Sequence, residues 1–105
     1  MGEKEALIQE LEYFKEKISG DFKLDKLILF GSFARNNFSK DSDADLIVVS
    51  PVFGKEKSWK RSKRLYKHWR HRFPVDFLCF TPEEFRRKKK SVSIVTEAVK
   101  EGLEI

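Results

Sequence analysis

The sequence is poor in cysteine and in long hydrophobic runs, and each shortage excludes a class of protein. Cys79 is the single cysteine among 105 residues, so no internal disulfide can form, as is typical of proteins from a reducing compartment. No apolar run approaches the roughly 18 residues of a membrane-spanning helix. The N-terminal residues 2–5 are Gly-Glu-Lys-Glu, unlike the basic and then apolar start of a signal peptide. We therefore expect a soluble cytoplasmic protein with no membrane association.

The composition predicts one domain over residues 1–105. A chain of 105 residues with 40% apolar residues, ten of them Phe, can bury a modest core. The net charge of +5 is concentrated in residues 55–72, which hold nine Lys or Arg and one Glu, and the rest of the chain therefore sums to −3. Such a segment either attracts nucleic acid, a nucleotide or an acidic protein, or is the solvated face of a helix.

The hydrophobic pattern predicts helices that alternate with a small sheet. Helical spacing favours helices over residues 3–19 and 55–73, and Thr81, Pro82 and Glu84 form a capping box that begins another. Strands are predicted over residues 24–30, 45–50 and 75–80, with a last helix to Lys100 and an edge strand over residues 103–105. The fold class is therefore α/β or α+β, a small mixed β-sheet with flanking helices.

The long basic helix carries an aromatic stripe. Trp59, Ser62, Tyr66, Trp69 and Phe73 follow one another at spacings of 3, 4, 3 and 4 residues. We expect this stripe to pack on the sheet while the Lys and Arg face stays in water. Base stacking by the aromatic residues is the alternative.

A phosphate-binding turn is predicted where the first strand ends. Gly31 follows that strand directly, and a residue without a side chain lets backbone amides approach an anion closely. Ser32 offers a hydroxyl and could begin a short helix through Arg35, whose N-terminus would attract a phosphate.

Three aspartates complete the chemistry. Asp43 and Asp45 alternate at the start of the second strand, so both carboxylates share a face and repel each other unless a cation lies between them. Such hard oxygen ligands suit Mg²⁺, with further oxygens supplied by substrate phosphates. Asp76 lies inside the third strand and would join them if that strand neighbours the second. Three carboxylates could then hold two metal ions, with Asp76 placed to accept the proton of an attacking hydroxyl. The alternative for Asp43 and Asp45 is a turn or capping role, and the alternative for Asp76 is a structural acid paired with a Lys or Arg.

This arrangement resembles the polymerase-β nucleotidyltransferase superfamily: Gly31-Ser32, ten intervening residues, Asp43-x-Asp45 and a later strand aspartate. The small size is similar to its minimal nucleotidyltransferase (MNT) members, often the antitoxin partners of HEPN-domain ribonuclease toxins. The resemblance implies that Gly31, Ser32 and Arg35 bind the nucleotide. It also implies that Asp43, Asp45 and Asp76 hold two Mg²⁺ ions.

One departure from the family pattern concerns the turn after Arg35. Family members commonly have Gly there, whereas this chain has Asn36 and Asn37. Asn tolerates a left-handed backbone better than most residues, so we expect only a modest change in the turn.

The resemblance implies a Mg²⁺-dependent transfer of a nucleotide, AMP from ATP, to a hydroxyl of an acceptor. A HEPN toxin is the partner that it implies, with an antitoxin role, and a second copy of the chain is another way to complete the acceptor side. The alternative is a non-catalytic module that docks on a toxin or RNA through its basic helix. Transfer to a small molecule is a third hypothesis, disfavoured because there is no further domain for the acceptor.

Overall fold

The computed structural model describes residues 2–39, 41–91 and 93–105. Its elements in chain order are α1 (Glu3–Ser19), β1 (Lys26–Phe30), β2 (Ala44–Val49), a 3₁₀ helix (Pro51–Lys55), α2 (Ser58–Tyr66), β3 (Val75–Phe80), α3 (Pro82–Lys89), α4 (Ile94–Glu101) and β4 (Leu103–Glu104). Every helix in the described ranges is too short or too polar to span a membrane.

The strands form one mixed sheet in the order β3-β2-β1-β4. β1 runs antiparallel to both β2 and β4, whereas β2 and β3 are parallel. The parallel pair needs a crossover, which the 3₁₀ helix and α2 supply. The predicted fold class, a small mixed sheet with flanking helices, is confirmed.

Each face of the sheet has its own apolar cluster. α1 buries Leu7, Leu11, Phe14 and Ile18 against one face, as its helical spacing predicts, and Leu65 of α2 joins the same cluster. The opposite face packs against α3 and α4 through Phe85, Val95 and Ala98. Strand residues alternate between the clusters, and in β2 Leu46 and Val48 face α1 while Ile47 and Val49 face α3 and α4. This alternation fixes which face the polar strand residues share.

The long helix predicted over residues 55–73 is wrong in its extent. A 3₁₀ helix ends at Lys55, and α2 runs only from Ser58 to Tyr66. Residues 67–73 form turns and irregular backbone instead. Helical periodicity continues through this segment because its aromatic residues reach the core from turns, so the pattern alone overestimates the helix.

The predicted buried stripe of this segment is also partly wrong. Trp59 is 62% exposed and Tyr66 42% exposed, while α2 buries Arg61 and Leu65. Trp69 and Phe73 do contact the core, and Trp69 packs edge-on to Phe14 with ring centroids 5.2 Å apart.

Arg61 is buried because it ties α2 to α3 around the open edge of β3. Its guanidinium donates to both carboxylate oxygens of Glu84 at 2.6 and 3.2 Å and to the carbonyl of Cys79 at 3.2 Å. Glu84 also closes the predicted capping box, accepting from the backbone N–H of Thr81 at 2.8 Å. Arg61 thus covers part of an edge strand that would otherwise expose backbone groups.

Candidate functional site

The three predicted aspartates meet at one end of the sheet. β2 and β3 are parallel and place Asp45 directly beside Asp76 in register. Residues paired in this way point to the same face, the one that carries α3 and α4 further along the strands. Asp43 precedes β2 by one residue and alternates with Asp45. The condition on which Asp76 depended, a third strand next to the second, is therefore confirmed.

Gly31 lies against the carboxylate of Asp45. It follows β1 at the point where Phe30 pairs with Asp45, and its φ of 75° is left-handed. A Cβ at Gly31 would collide with Oδ2 of Asp45. The position therefore requires glycine both for its backbone conformation and for the close approach of the acid.

The predicted short helix after Gly31 is not formed, and residues 31–36 are turns. The backbone N–H of Arg35 donates to the carbonyl of Gly31 at 3.1 Å, one helical turn that does not continue. Continuation fails because the chain reverses at Asn36, whose φ is 61°. Asn36 thus adopts the left-handed conformation that its residue type suggested, in the position where the resemblance leads one to expect Gly.

Lys4 holds this turn from α1. Its ammonium donates to the carbonyl of Ala34 at 3.2 Å and to Oδ1 of Asn36 at 2.9 Å. Ser32 stands at the start of the turn, half-buried, and its carbonyl accepts from the N–H of Asn37 at 2.8 Å. Sequence reasoning missed Lys4, since nothing in the pattern of α1 distinguishes it from the other solvated lysines.

Arg35 is exposed and reaches α4. Its guanidinium lies 3.4 Å from the carboxylate of Glu101. A cavity of about 150 Å³ opens between the turn and α4, lined among others by Gly31, Asp45 and Glu97. The structure thus pairs Arg35 with α4, at a position beside the aspartate cluster.

The electrostatics of the cluster centre on Asp45. Burial raises its pKa above the usual value, the charges of Asp76 and Asp43 raise it further, and Arg35 lowers it. The carboxylates of Asp43 and Asp76 are therefore close enough to Asp45 to repel its charge. A cation between them would relieve that repulsion.

The residues present fit a divalent cation only in part. Among the residues that the structure describes, no three His, Cys, Asp or Glu side chains are arranged to hold a metal ion by themselves. Mg²⁺ commonly takes only one or two carboxylates and completes its shell with water and substrate phosphates. The aspartates therefore suit an ion that is bound together with a phosphate ligand.

Tyr66 is a neighbour of the cluster that sequence reasoning assigned to the core. Its hydroxyl donates to the carbonyl of Val75 at 3.0 Å, next to Asp76 in the chain. Burial raises the pKa of Tyr66, and the charge of Asp76 raises it further. Helical spacing alone could not find this residue, because the same spacing describes a buried stripe.

Comparison with known proteins agrees with this geometry. The model of the family described as nucleotidyltransferase domain matches residues 11–101. Two proteins of Methanocaldococcus jannaschii named "putative protein adenylyltransferase" are similar. One is 38% identical over 52 residues, half of each chain. The other is 27% identical over 101 residues, 94% of this chain and 98% of the relative.

A solved structure shares the fold. It is the crystal structure of a "putative nucleotidyltransferase" from Sulfolobus solfataricus. It superposes with a TM-score of 0.70 at 20% identity. The match covers 96% of this chain and 80% of that one. At this identity the likeness concerns the fold alone.

Proposed function

Because the chain belongs to the nucleotidyltransferase domain family, we propose that it transfers AMP from ATP to a hydroxyl group of an acceptor protein. The observation that carries the proposal is the meeting of Asp45 with Asp76 in register, directly against Gly31. A glycine that packs against Asp45, with Asp76 beside that acid, has little use in a purely structural role, where each acid would be paired with a cation.

In the proposed reaction the acceptor hydroxyl oxygen attacks the α-phosphorus of ATP. A new P–O bond forms, the bond between the α-phosphorus and the bridging oxygen breaks, and pyrophosphate leaves with the electron pair. Asp76, exposed at the mouth of the site, accepts the hydroxyl proton. Catalysis then consists mainly of positioning and charge neutralisation.

The triphosphate is bound in this proposal by Gly31, Ser32 and Arg35. The turn at residues 31–36 presents backbone N–H groups with no side chain at Gly31, and Ser32 adds a hydroxyl. Arg35 would exchange its exposed ion pair with Glu101 for a phosphate oxygen, a small loss because exposed pairs contribute little.

Asp43, Asp45 and Asp76 would hold two Mg²⁺ ions together with the triphosphate. Ions held by these residues would supply neutralisation of the phosphate charge and would favour ionisation of the attacking hydroxyl. The register of Asp45 beside Asp76, and the raising of the pKa of Asp45 by both Asp76 and Asp43, support this assignment.

A protein acceptor is supported by the two archaeal relatives, both of which are named for adenylyl transfer to protein. We propose a HEPN toxin as that acceptor, in keeping with the resemblance to MNT antitoxins, and modification of one of its hydroxyls would be the antitoxin activity.

The test mixes the full chain with α-labelled ATP, Mg²⁺ and the protein encoded next to its gene, and follows label on the partner by gel electrophoresis. We expect transfer that requires Mg²⁺, prefers ATP over other labelled triphosphates and disappears in Asp43→Asn. The matched control is Asp41→Asn, an exposed aspartate two residues away that the proposal does not use, and it should retain full transfer.

Two outcomes contradict the proposal. Equal loss in both variants would assign the effect to the loop rather than to the metal ligand. No transfer by the wild type, together with tight binding of the partner in EDTA, would favour the second candidate, a non-catalytic docking module. The exposure of Trp59, with the ammonium of Lys60 5.2 Å from its ring centre, is the observation that favours this candidate.

A further inference from the structure

A second concave surface lies along the open edge of β3, away from the turn at Gly31. α2 and α3 form its walls and β3 its floor, and it encloses about 640 Å³. We call it the basic groove and define it by six of its lining residues: Arg61, Ser62, Leu78, Phe80, Arg87 and Lys88. None of these residues belongs to the proposed nucleotide site.

The positive charge of the groove is only partly compensated. Arg61 is neutralised by Glu84, which it contacts through two hydrogen bonds. Arg87 and Lys88 are exposed, and within the described ranges neither forms an ion pair. The ammonium of Lys88 lies 5.8 Å from the ring centre of Phe80. The groove therefore holds two available cations above a half-buried apolar floor of Leu78 and Phe80.

The floor of the groove continues into the aspartate cluster. Leu78 and Phe80 pack on the same sheet face as α3 and α4, and strand alternation places Asp76 on that face too. At about 3.3 Å per residue, Leu78 lies roughly 7 Å and Phe80 roughly 13 Å along the strand from Asp76. An extended ligand in the groove would therefore reach the site with a segment of two to four residues.

We propose that the basic groove binds an acidic segment of the acceptor polypeptide and so presents a nearby hydroxyl to the site. This inference rests on the proposed transfer to protein. A polypeptide fits the lining because alternating side chains can place carboxylates on Arg87 and Lys88 and apolar groups on Leu78. A single-stranded nucleic acid fits less well, since the most exposed aromatic ring, that of Trp59, is not among the lining residues.

The test measures peptide binding separately from transfer. The probes are two fluorescein-labelled peptides with one tyrosine and four glutamates, which precede the tyrosine in one peptide and follow it in the other. A glutamine analogue of each peptide and a single-stranded oligouridylate complete the set. The variant Arg87→Glu/Lys88→Glu reverses two exposed charges in the last turn of α3. The matched control, Lys17→Glu/Lys100→Glu, reverses two exposed charges in the last turns of α1 and α4, outside the groove.

We expect the wild type and the control to bind a glutamate peptide at least tenfold more tightly than its glutamine analogue, by fluorescence anisotropy at low salt. In the groove variant, the ratio of the affinities for the glutamate peptide and its glutamine analogue should fall at least tenfold. Equal binding by the groove variant and the control would overturn the proposal. So would the absence of any preference for glutamate in the wild type, or tighter, Arg87- and Lys88-dependent binding of the oligouridylate.

Asp45→Asn separates this proposal from the proposed function. It should abolish transfer to any acceptor and leave peptide binding at the wild-type level, because the groove does not include Asp45. Selective peptide binding without transfer by the wild type would contradict the proposed chemistry alone. If the groove variant and the control transferred label to the partner protein at equal rates, only the proposal about the groove would be contradicted.

Discussion

The molecule holds charged groups at two ends of β3 in opposite ways. At the Arg61 end, Glu84 is bound by a guanidinium and a backbone N–H, and the hydrogen bond from Arg61 is the main reason that its pKa is lowered. At the Asp76 end, Asp45 faces other carboxylates, and its pKa is raised by burial and by those neighbours. The first arrangement satisfies its charges within the chain, whereas in the second Asp76 and Asp43 add negative charge next to Asp45, which Arg35 offsets only in part.

This difference separates a structural ion pair from a binding site. Arg61 and Glu84 connect α2, α3 and β3, so their charges stabilise the fold that they belong to. The aspartates contribute repulsion in the absence of a ligand, and such a cost is typical of sites whose charges match something that binds. Substitutions at the two ends should therefore have opposite effects on stability.

Asp45→Asn should give the largest effect, on activity. Removing one charge from the cluster should lower the rate of transfer by at least about 100-fold, as does the loss of other electrostatic groups that stabilise transition states. The same change should raise Tm by roughly 2–4 °C, since relief of repulsion between partly solvated charges amounts to about 0.5 kcal/mol. Rate assays and calorimetry of the ligand-free protein measure the two effects.

Asp41→Asn is the control for both measurements, because Asp41 is exposed in the same loop. It should change neither the rate nor Tm. A fall in Tm for Asp45→Asn would break the comparison, since Asp45 would then be a satisfied structural group like Glu84.

Arg61→Met should give the next largest effect, on stability. It keeps the apolar stem but leaves Glu84 and the Cys79 carbonyl without their donor. Breaking a buried pair costs about 3–5 kcal/mol, and the 29% exposure of the Glu84 side chain reduces this to about 2–3 kcal/mol. Tm should fall by roughly 10–20 °C in thermal unfolding.

Arg72→Met provides the contrast for that measurement. Its partner Glu3 lies 3.3 Å away, and both side chains are more than half exposed. An exposed pair contributes little, so the loss should be below about 0.5 kcal/mol. Equal losses for the two arginines would mean that the Arg61 pair does not stabilise the fold beyond an ordinary surface contact.

Gly31→Ala should cost about 1–2 kcal/mol and most of the transfer activity. Its φ of 75° disfavours alanine, and the added methyl would push the Asp45 carboxylate from its position. Gly54→Ala is the control, because a Cβ there would lie 3.9 Å from Cγ2 of Thr81, an ordinary contact. Denaturant unfolding gives the stability of both variants. Unchanged activity in Gly31→Ala would argue against close packing of glycine and acid in the working site.

The sequence predicts the aspartate end better than the Arg61 end for a physical reason. Gly31, Asp43 and Asp45 lie close in the chain, and the period-two pattern of β2 and β3 fixes the face of each acid. The sequence did not show which strands are neighbours, and the structure shows that β2 and β3 pair in parallel with Asp45 beside Asp76. Asn36 follows the same rule, because its left-handed backbone is a local property of the residue type.

The Arg61 end depends on contacts between distant elements, which no local pattern encodes. The basic segment has nine Lys or Arg, and nothing in its sequence distinguishes Arg61, the one that α2 buries. The aromatic stripe was misleading for the same reason, since Trp59 and Trp69 share a helical spacing but only Trp69 packs on the core. Tertiary packing decided between residues of equal propensity.

The pH dependence of stability should show the smallest effect, but it compares Glu84 and Asp45 most directly. The lowered pKa of Glu84 means that its contribution is fully present above pH 4.5 and is lost as the pH falls through the folded-state pKa. The raised pKa of Asp45 acts in the opposite sense, because protonation below its folded-state pKa removes repulsion and favours the folded state.

Glu84→Gln should therefore flatten the fall in stability between about pH 5 and pH 3, and Asp45→Asn should steepen it, relative to the wild type. Unfolding free energies from urea titrations across this range measure both slopes, with differences of up to about 1 kcal/mol expected. Slopes that shift in the same direction would mean that the two carboxylates have the same electrostatic environment. The contrast between Glu84, which is paired with Arg61, and Asp45, which lies beside other carboxylates, would then be wrong.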